Sequence, residues 1–375
     1  MQLNRLSIIN YKNLAQVDLE LSPKINGFIG NNGMGKTNVL DAIYYLSFCK
    51  SATNVLDASN ISHDADFFLL QGRYHSDDNS PLSVSCGLKR GGRKTIKCDE
   101  KDCRKISEHV GRIPLVLLSP ADSQLVSGGS EERRRFMDTV ISQYNRPYLA
   151  HIIHYDRTLK QRNALLKKED DLDPGVLAVL EGMMAADATV IYSARRQFIN
   201  DFLPIFKKLH CQLCPAEEDV DVKYITHGSR GDLAGLLESW RSRERIVGYT
   251  LHGPHKDDLD LLMNGYSIKR EGSQGQTKTF FIAMKLAQFV FLKKRAHCST
   301  PILLLDDIFD KLDAERVSRI VDYVNGDDFG QIFITDTNRD HLDSILSHSD
   351  KSYKLFHVSQ GAVDEVSASV PNKDQ

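Results

Sequence analysis

The sequence predicts an α/β fold with a helical lobe inserted into it, and three stretches carry that prediction. Ile25 to Ile29 is a short apolar strand that runs into a glycine-rich turn and then an amphipathic helix. Pro301-Ile-Leu-Leu-Leu-Asp306-Asp307 is an apolar run closed by two acids, the pattern of a strand buried on both faces of a parallel sheet. Between them, from Glu131 to about His210, the pattern is helical with few glycines and prolines. A chain of 375 residues is too long for one compact core of ordinary size. We therefore expect one lobe from residues 1–120 and 245–375, and a helical lobe from 121–244, with residues 272–276 as a stretch that can pack with the helical lobe.

The elements follow in order. Leu3, Leu6 and Ile8, then Val17, Leu19 and Leu21, alternate as two strands would. A helix is expected from about Lys36 to Ser47, burying Val39, Leu40, Ile43 and Leu46. Three antiparallel strands are expected within 67–99, and a buried strand over Ile113 to Leu118. In the helical lobe the break is expected at Asp171 to Pro174. Asp219 to Ile225 reads as a strand and Gly231 to Arg243 as a helix. The α/β character then returns, with a helix over Gly272–Ala296, a strand over Pro301–Leu305, a helix over Asp313–Val324 and a strand over Gln331–Thr335. Residues after about 361 are polar and are expected to fray.

The net charge of −2 means that any attraction to nucleic-acid phosphates must come from local patches. No run of 18 apolar residues is present, and the start lacks the apolar core of a signal peptide, so we expect no membrane partner and a cytoplasmic location. Seven cysteines without regular spacing fit a reducing compartment. Cys211 and Cys214, after His210, have a metal-like spacing but no second ligand pair nearby in sequence.

Gly30-Asn31-Asn32-Gly33-Met34-Gly35-Lys36-Thr37 matches the phosphate-binding P-loop pattern in full, between a strand and a helix as the mechanism requires. The glycines let successive N–H groups turn inward, and the helix N-terminus adds positive potential for phosphates. Lys36 is expected to reach the β- and γ-phosphates of ATP, and Thr37 to ligate Mg²⁺. Asp306 is the expected second Mg²⁺ residue, and Asp307 the carboxylate that polarises the attacking water. Lys36, Asp306 and Asp307 form the expected catalytic set, with Thr37 and Asp306 holding the metal.

Ser273-Gln274-Gly275-Gln276 opens a long amphipathic helix, and alone it signals little more than an N-cap. The order of parts gives it weight: P-loop near 30, this motif near 273, and the Asp306 strand about 30 residues later, followed by Leu312-Asp313. That order resembles the ABC-type ATPase head of the SMC class, so the fold class is α/β, a P-loop ABC-type ATPase head with an inserted helical lobe. Within the class the chain resembles the RecF family over nearly its whole length. The resemblance rests on Asn10-Tyr11-Lys12-Asn13-Leu14, on Gly30 to Asn38 and on Leu118-Ser-Pro-x-Asp122. It continues in Arg133-Arg134-Arg135-Phe136-x-Asp138, Gly253-Pro-His-Lys-Asp-Asp258, Gly272 to Gln276 and Leu304-Leu-Asp-Asp307.

The resemblance implies an ATP-dependent homodimer in which Ser273, Gln274, Gly275 and Gln276 of one chain complete the ATP site of its partner. It implies Lys12, Asn13 and Asn38 as further nucleotide-site residues. It also implies binding of double-stranded and gapped DNA, slow ATP hydrolysis, and RecR, RecO and RecA as partners in repair, replication restart and the SOS response. The switch histidine of ABC-type ATPases would fall near Asp336, and Gln124 is the candidate Q-loop glutamine. Lys89, Arg90, Arg93 and Lys94, in a basic stretch over residues 89–105, are candidate DNA contacts, as are Arg133 and Arg134. Arg157, Lys160, Arg162, Lys167 and Lys168 form a further basic group. The alternatives are an ATPase subunit that energises a transporter and a P-loop small-molecule kinase. The first favours Asp-Glu where this chain has Asp306-Asp307, and the second leaves Gly272–Gln276 without a purpose.

Overall fold

A computed structural model describes residues 1–167, 173–214, 218–295, 299–308, 314–326, 328–337 and 352–369. The chain folds as two units, residues 1–122 with 282–375 and residues 123–281.

The first unit begins with β1 (Gln2–Tyr11), β2 (Leu14–Glu20) and β3 (Ile25–Ile29), then α1 (Lys36–Phe48), β4 (Phe67–His75), β5 (Pro81–Lys89), β6 (Thr95–Cys98), β7 (Lys101–Asp102) and β8 (Leu115–Leu118). Six of these strands make an antiparallel sheet in the order β2-β1-β4-β5-β6-β7. β3 instead enters a second sheet, because all five of its residues are buried and it has no polar face to give to water. α1 packs on strands of both sheets, which is why it buries Val39, Leu40, Ala42, Ile43, Tyr45 and Leu46 on more than one side. Tyr11, Tyr45 and Phe68 meet edge to face with ring centroids 5.2–5.9 Å apart, an arrangement favoured by aromatic quadrupoles.

The second unit opens with α2 (Gln124–Ser127), α3 (Ser130–Tyr144), α4 (Arg146–Leu166) and α5 (Pro174–Leu213). It continues with β9 (Val220–Ile225), α6 (Leu233–Val247), β10 (Asp258–Met263), β11 (Tyr266–Ser267) and α7 (Ile268–Glu271). The expected boundary at 244 falls short. β10 pairs antiparallel with β9 and packs on α3, so residues 245–281 belong to this unit, which is not purely helical. Over part of its length α5 is apolar enough to span a membrane, yet Leu177, Met184, Ile191, Phe198, Phe202, Phe206 and Leu213 form a buried stripe at helical spacing.

α8 (Gln274–Arg295) leads back to the first unit, followed by β12 (Ile302–Asp306), α9 (Ala314–Val324), β13 (Ile332–Asp336), β14 (Tyr353–Ser359) and β15 (Ala362–Ser369). The second sheet of this unit is ordered β15-β14-β3-β13-β12-β8, parallel except for the β14–β15 hairpin. The expectation of fraying after 361 is corrected: residues 362–369 pair with 353–359. Gln331 ties the two sheets together, accepting from Leu3 N–H at 2.7 Å and donating to the Leu3 and Ser22 carbonyls at 2.8 and 2.7 Å.

Candidate functional site

The carboxyl ends of β3, β12 and β13 lie side by side, with Asp306 level with Thr335 and Asp336 level with Ile29. In an open parallel sheet this edge is where ligands bind. The turn from β3 into α1 carries the P-loop, and its shape is set by what lies close to it. A Cβ on Gly30 would sit 2.3 Å from the Val358 carbonyl oxygen of β14, so no larger residue fits there. Gly35 caps α1 at φ 119°, a left-handed conformation that side chains resist.

The hairpin turn between β14 and β15 braces this loop, a role the sequence did not suggest. Gly361 N–H donates to the Met34 carbonyl at 3.0 Å, and a Cβ on Gly361 would fall 2.0 Å from the Asn13 carbonyl oxygen. From the other side Asn13 Nδ2 donates to the Met34 carbonyl at 3.2 Å, and Asn38 Nδ2 donates to Asn13 Oδ1 at 2.7 Å. Asn13 and Asn38 therefore shape the loop. Lys12 faces elsewhere: its ammonium lies 2.5 Å from Asp41 and donates to Thr53 at 2.7 Å. Asp41 is buried in α1 and also accepts from Tyr11, Ser51 and Ala52 N–H, which fixes the Lys12 turn against the helix.

Lys36 is buried, and its ammonium donates to the carbonyls of Gly30 at 2.8 Å and Asn31 at 3.2 Å, inside the loop. Asn31, Asn32 and Gly33 are exposed on the crest, with Met34 half-buried. Thr37 Oγ1 donates to Asp306 Oδ1 at 2.9 Å, and Thr335 Oγ1 donates to the same oxygen at 2.7 Å. Asp306 is 6% exposed, and burial raises its pKa, opposed by the Thr335 and Thr37 hydrogen bonds and by Lys36. A buried carboxylate beside a threonine hydroxyl at the head of a P-loop is a hard-oxygen donor pair suited to Mg²⁺. Glycine turns, helix N-terminus, buried lysine and donor pair together fit a magnesium-bound nucleoside triphosphate.

Asp307 follows at φ 45°, its N–H donating to Thr335 Oγ1 at 3.0 Å, so the backbone turns sharply after the strand. Asp336 is buried at the end of β13, level with the loop. In the second unit, Ser273 and Gln276 cap α8 reciprocally: Gln276 N–H donates to Ser273 Oγ at 3.2 Å and Ser273 N–H to Gln276 Oε1 at 2.9 Å. Ser273 and Gln274 are exposed at the helix tip, Gly275 follows half-buried, and Gln276 also donates to Glu218 at 2.9 Å. Gln124 begins the short α2, and Leu312 and Asp313 lie outside the described residues.

The candidate DNA contacts divide. Lys89, Arg90 and Arg93 are exposed at the β5–β6 turn. Lys94 is corrected: its ammonium donates to Asp57 and the Cys49 carbonyl, both at 2.6 Å, and is held inside. Arg133 is 8% exposed and pairs with Asp258 at 2.6 Å, while the half-buried Arg134 donates to the Asp257 carbonyl at 2.8 Å. Arg162 is fully buried between Glu181 and Glu244. Arg133 and Arg162 are paired with internal carboxylates, whereas Arg134 bonds a neutral carbonyl, as Arg90 does with the Ala65 carbonyl at 3.0 Å, and keeps its charge. Lys168 lies outside the described residues.

The family model described as RecF/RecN/SMC N terminal domain matches residues 2–364. A DNA replication and repair protein RecF from Phocaeicola vulgatus is 54% identical over 365 residues, covering 97% of this chain and 98% of its own length. A solved structure of the recombination mediator protein RecF-ATPrS in the RecFOR pathway is 26% identical, with a TM-score of 0.88 over 97% of this chain and 98% of that one. A second, of RecF-ATP, is 26% identical with a TM-score of 0.87 over 98% of each. The glycine-braced loop, the Thr37–Asp306 pair and the capped Ser273 helix thus sit in an ABC-type ATPase head, and the chain belongs to the RecF family.

Proposed function

We propose that this chain is an ATP-controlled DNA-binding protein of DNA repair and replication, a slow ATPase that dimerises when ATP is bound. The observation that carries this is the placement of Asp306 against Thr37 at 2.9 Å, directly behind the P-loop lysine. Mg²⁺–ATP supplies the phosphate anhydride that is cleaved. Lys36 exchanges the Gly30 and Asn31 carbonyls for the β- and γ-phosphate oxygens. Thr37 and Asp306 would hold the metal, and Asp307 would orient the attacking water. Catalysis of this kind is mostly positioning and charge neutralisation.

The Ser273 oxygen already accepts Gln276 N–H, so its own O–H proton points to whatever approaches the helix tip. In the proposed dimer that is the γ-phosphate held by the second chain, with Gly275 allowing close approach and Gln274 and Gln276 flanking it. Lys89, Arg90 and Arg93 supply a sequence-independent contact to double-stranded or gapped DNA. RecR, RecO and RecA are the partners that family membership suggests, with RecA loading in repair, replication restart and the SOS response as the setting.

Light scattering with a non-hydrolysable ATP analogue tests the reading. The unaltered chain should double in mass, while Lys36→Met and Ser273→Arg should stay single. Nucleotide-dependent dimers that survive both changes would refute the arrangement.

A further inference from the structure

Beyond the nucleotide site, three soft donors converge in the first unit. Cys98 ends β6, Cys103 follows β7, and His109 follows a short 3-10 turn over Ile106–Glu108. The β6–β7 turn runs through Asp99 and Glu100, both at positive φ, and folds the chain tightly enough to place Cys98 and Cys103 on one face. Their Sγ atoms are 3.1 Å apart, and Cys98 Sγ lies 3.3 Å from His109 Nδ1. All three donor atoms fall within 4.8 Å of one another. The other ring nitrogen, Nε2, donates to the Leu46 carbonyl of α1 at 2.6 Å. That bond leaves Nδ1 with its lone pair directed at the sulfurs, and a carbonyl partner of this kind is what orients metal-ligating histidines.

We propose that Cys98, Cys103 and His109 form a Zn²⁺ site that clamps the β6–β7 hairpin to α1, the helix that carries the P-loop. Two thiolates and one imidazole, with no carboxylate, select a borderline-soft ion over Mg²⁺ or Ca²⁺. Cys98 and His109 are buried, whereas Cys103 is half-exposed, so water reaches the ion from the Cys103 side and completes a tetrahedron. In the metal-free chain the Cys98 thiol donates to His109 Nδ1. Binding releases both thiol protons to solvent, and Zn²⁺ takes their place. Cys211 and Cys214, the pair with metal-like spacing in the sequence, do not gather three ligands among the described residues: Cys211 is exposed, and Cys214 donates to Glu218 at 3.3 Å.

The full chain, reduced and stripped with a chelator, is titrated anaerobically with Co²⁺ and then with Zn²⁺. The expected result is one Co²⁺ per chain with a thiolate-to-cobalt charge-transfer band, displaced by Zn²⁺, and a Zn²⁺-dependent rise in melting temperature. Cys103→Ser, at a half-exposed position, and His109→Gln, which keeps a donor for the Leu46 carbonyl, should lose both signals while circular dichroism stays native. Cys211→Ser should lose neither. The proposal is overturned if the unaltered chain gives no such band, if Cys103→Ser keeps it, or if Cys211→Ser abolishes it.

Discussion

Replacing Asp306 with asparagine separates the cost of a buried charge from its use. Asp306 is 6% exposed, and burial raises its folded pKa above the ordinary carboxylate value near ~3.9. A group whose folded pKa is raised holds its proton more tightly in the folded chain. Above that folded pKa, at neutral pH, the ionised form therefore costs stability. Asparagine removes that cost and still accepts from Thr37 and Thr335, so without nucleotide Asp306→Asn should be as stable as the unaltered chain or slightly more so. With Mg²⁺–ATP the order reverses. Ligand at a hundred times its dissociation constant stabilises by about 2.7 kcal/mol. At ~2–4 °C per kcal/mol for units of this size, the unaltered chain should melt about 5–10 °C higher. If losing the metal carboxylate weakens binding about a hundredfold, the shift falls to about 0.4 kcal/mol, or ~1 °C. Differential scanning fluorimetry with and without Mg²⁺–ATP reads both numbers. A full Mg²⁺-dependent shift in the variant would show that Asp306 does not hold the metal.

Gly361→Val should weaken ATP binding about tenfold or more. Left-handed φ costs a β-branched residue at least ~1–2 kcal/mol, and the added Cβ would strike the Asn13 carbonyl, so the turn must leave the P-loop. Fluorescent-nucleotide titration measures this, and an unchanged affinity would dismiss the hairpin as a brace. His255 is lowered to about 4 by burial, mainly, while Thr250 accepts from its Nε2. The neutral ring is favoured in the fold, so this stability is present above pH ~6.5 and is lost as pH falls toward 4, by roughly 3 kcal/mol in full. Urea unfolding at pH 7 and pH 5 should differ less in His255→Gln than in the unaltered chain; equal slopes would count against it. Lys89→Glu with Arg93→Glu should weaken DNA retention and flatten its salt dependence by up to ~2 in log–log slope. An unchanged slope would move the DNA surface elsewhere.

What the sequence makes legible follows from period and punctuation. β3 and β12 are short apolar runs ending at glycine or paired acids, and both lie in the parallel sheet as that pattern requires. β14 is hard to read because Tyr353-Lys-Leu-Phe-His-Val-Ser alternates weakly and ends in a polar tail. A signal is present in Gln360-Gly361, two consecutive left-handed residues that make a tight hairpin turn. The arginine triplet misleads for a geometric reason. Successive helix residues are turned by ~100°, so one charge run spreads over several faces: Arg133 is buried, Arg134 half-buried and Arg135 exposed. Composition cannot separate a solvated basic face from an internal ion pair, because both need the same residue types. The Cys98–Cys103–His109 group gives only a partial signal in the sequence: Cys98-x4-Cys103 fits the wide end of a paired-cysteine spacing, but no second ligand pair follows it, and folding is what brings His109 to the two sulfurs.

Two of the segments that carry the family resemblance, Arg133–Asp138 and Gly253–Asp258, meet in the second unit around Arg195. Its guanidinium is 1% exposed and donates to Asp138 and Asp257 at 2.8 Å, the Pro254 carbonyl at 2.8 Å and the Tyr148 hydroxyl at 3.0 Å. Burial raises the pKa of Asp257, and Arg195 and Tyr224 oppose that shift. Such a network is a poor source of net stability, because desolvating the charges offsets most of their attraction. Its effect is orientation: Asp258 opens β10, and β10, β11 and α7 lead without a long loop to Ser273. In the proposed dimer Ser273 meets a phosphate on another chain, a role that needs such a rigid mount. Arg195→Met should therefore cost about 3–5 kcal/mol of unfolding free energy by stranding Asp257 and Asp138. At temperatures where the variant remains folded, ATP should still bind the P-loop of the first unit, while ATP-driven dimerisation weakens. Calorimetric ATP titration beside light scattering separates the two. A variant that loses less than ~1 kcal/mol, or that dimerises normally, would show that the Arg195 network does not position the Ser273 tip of α8.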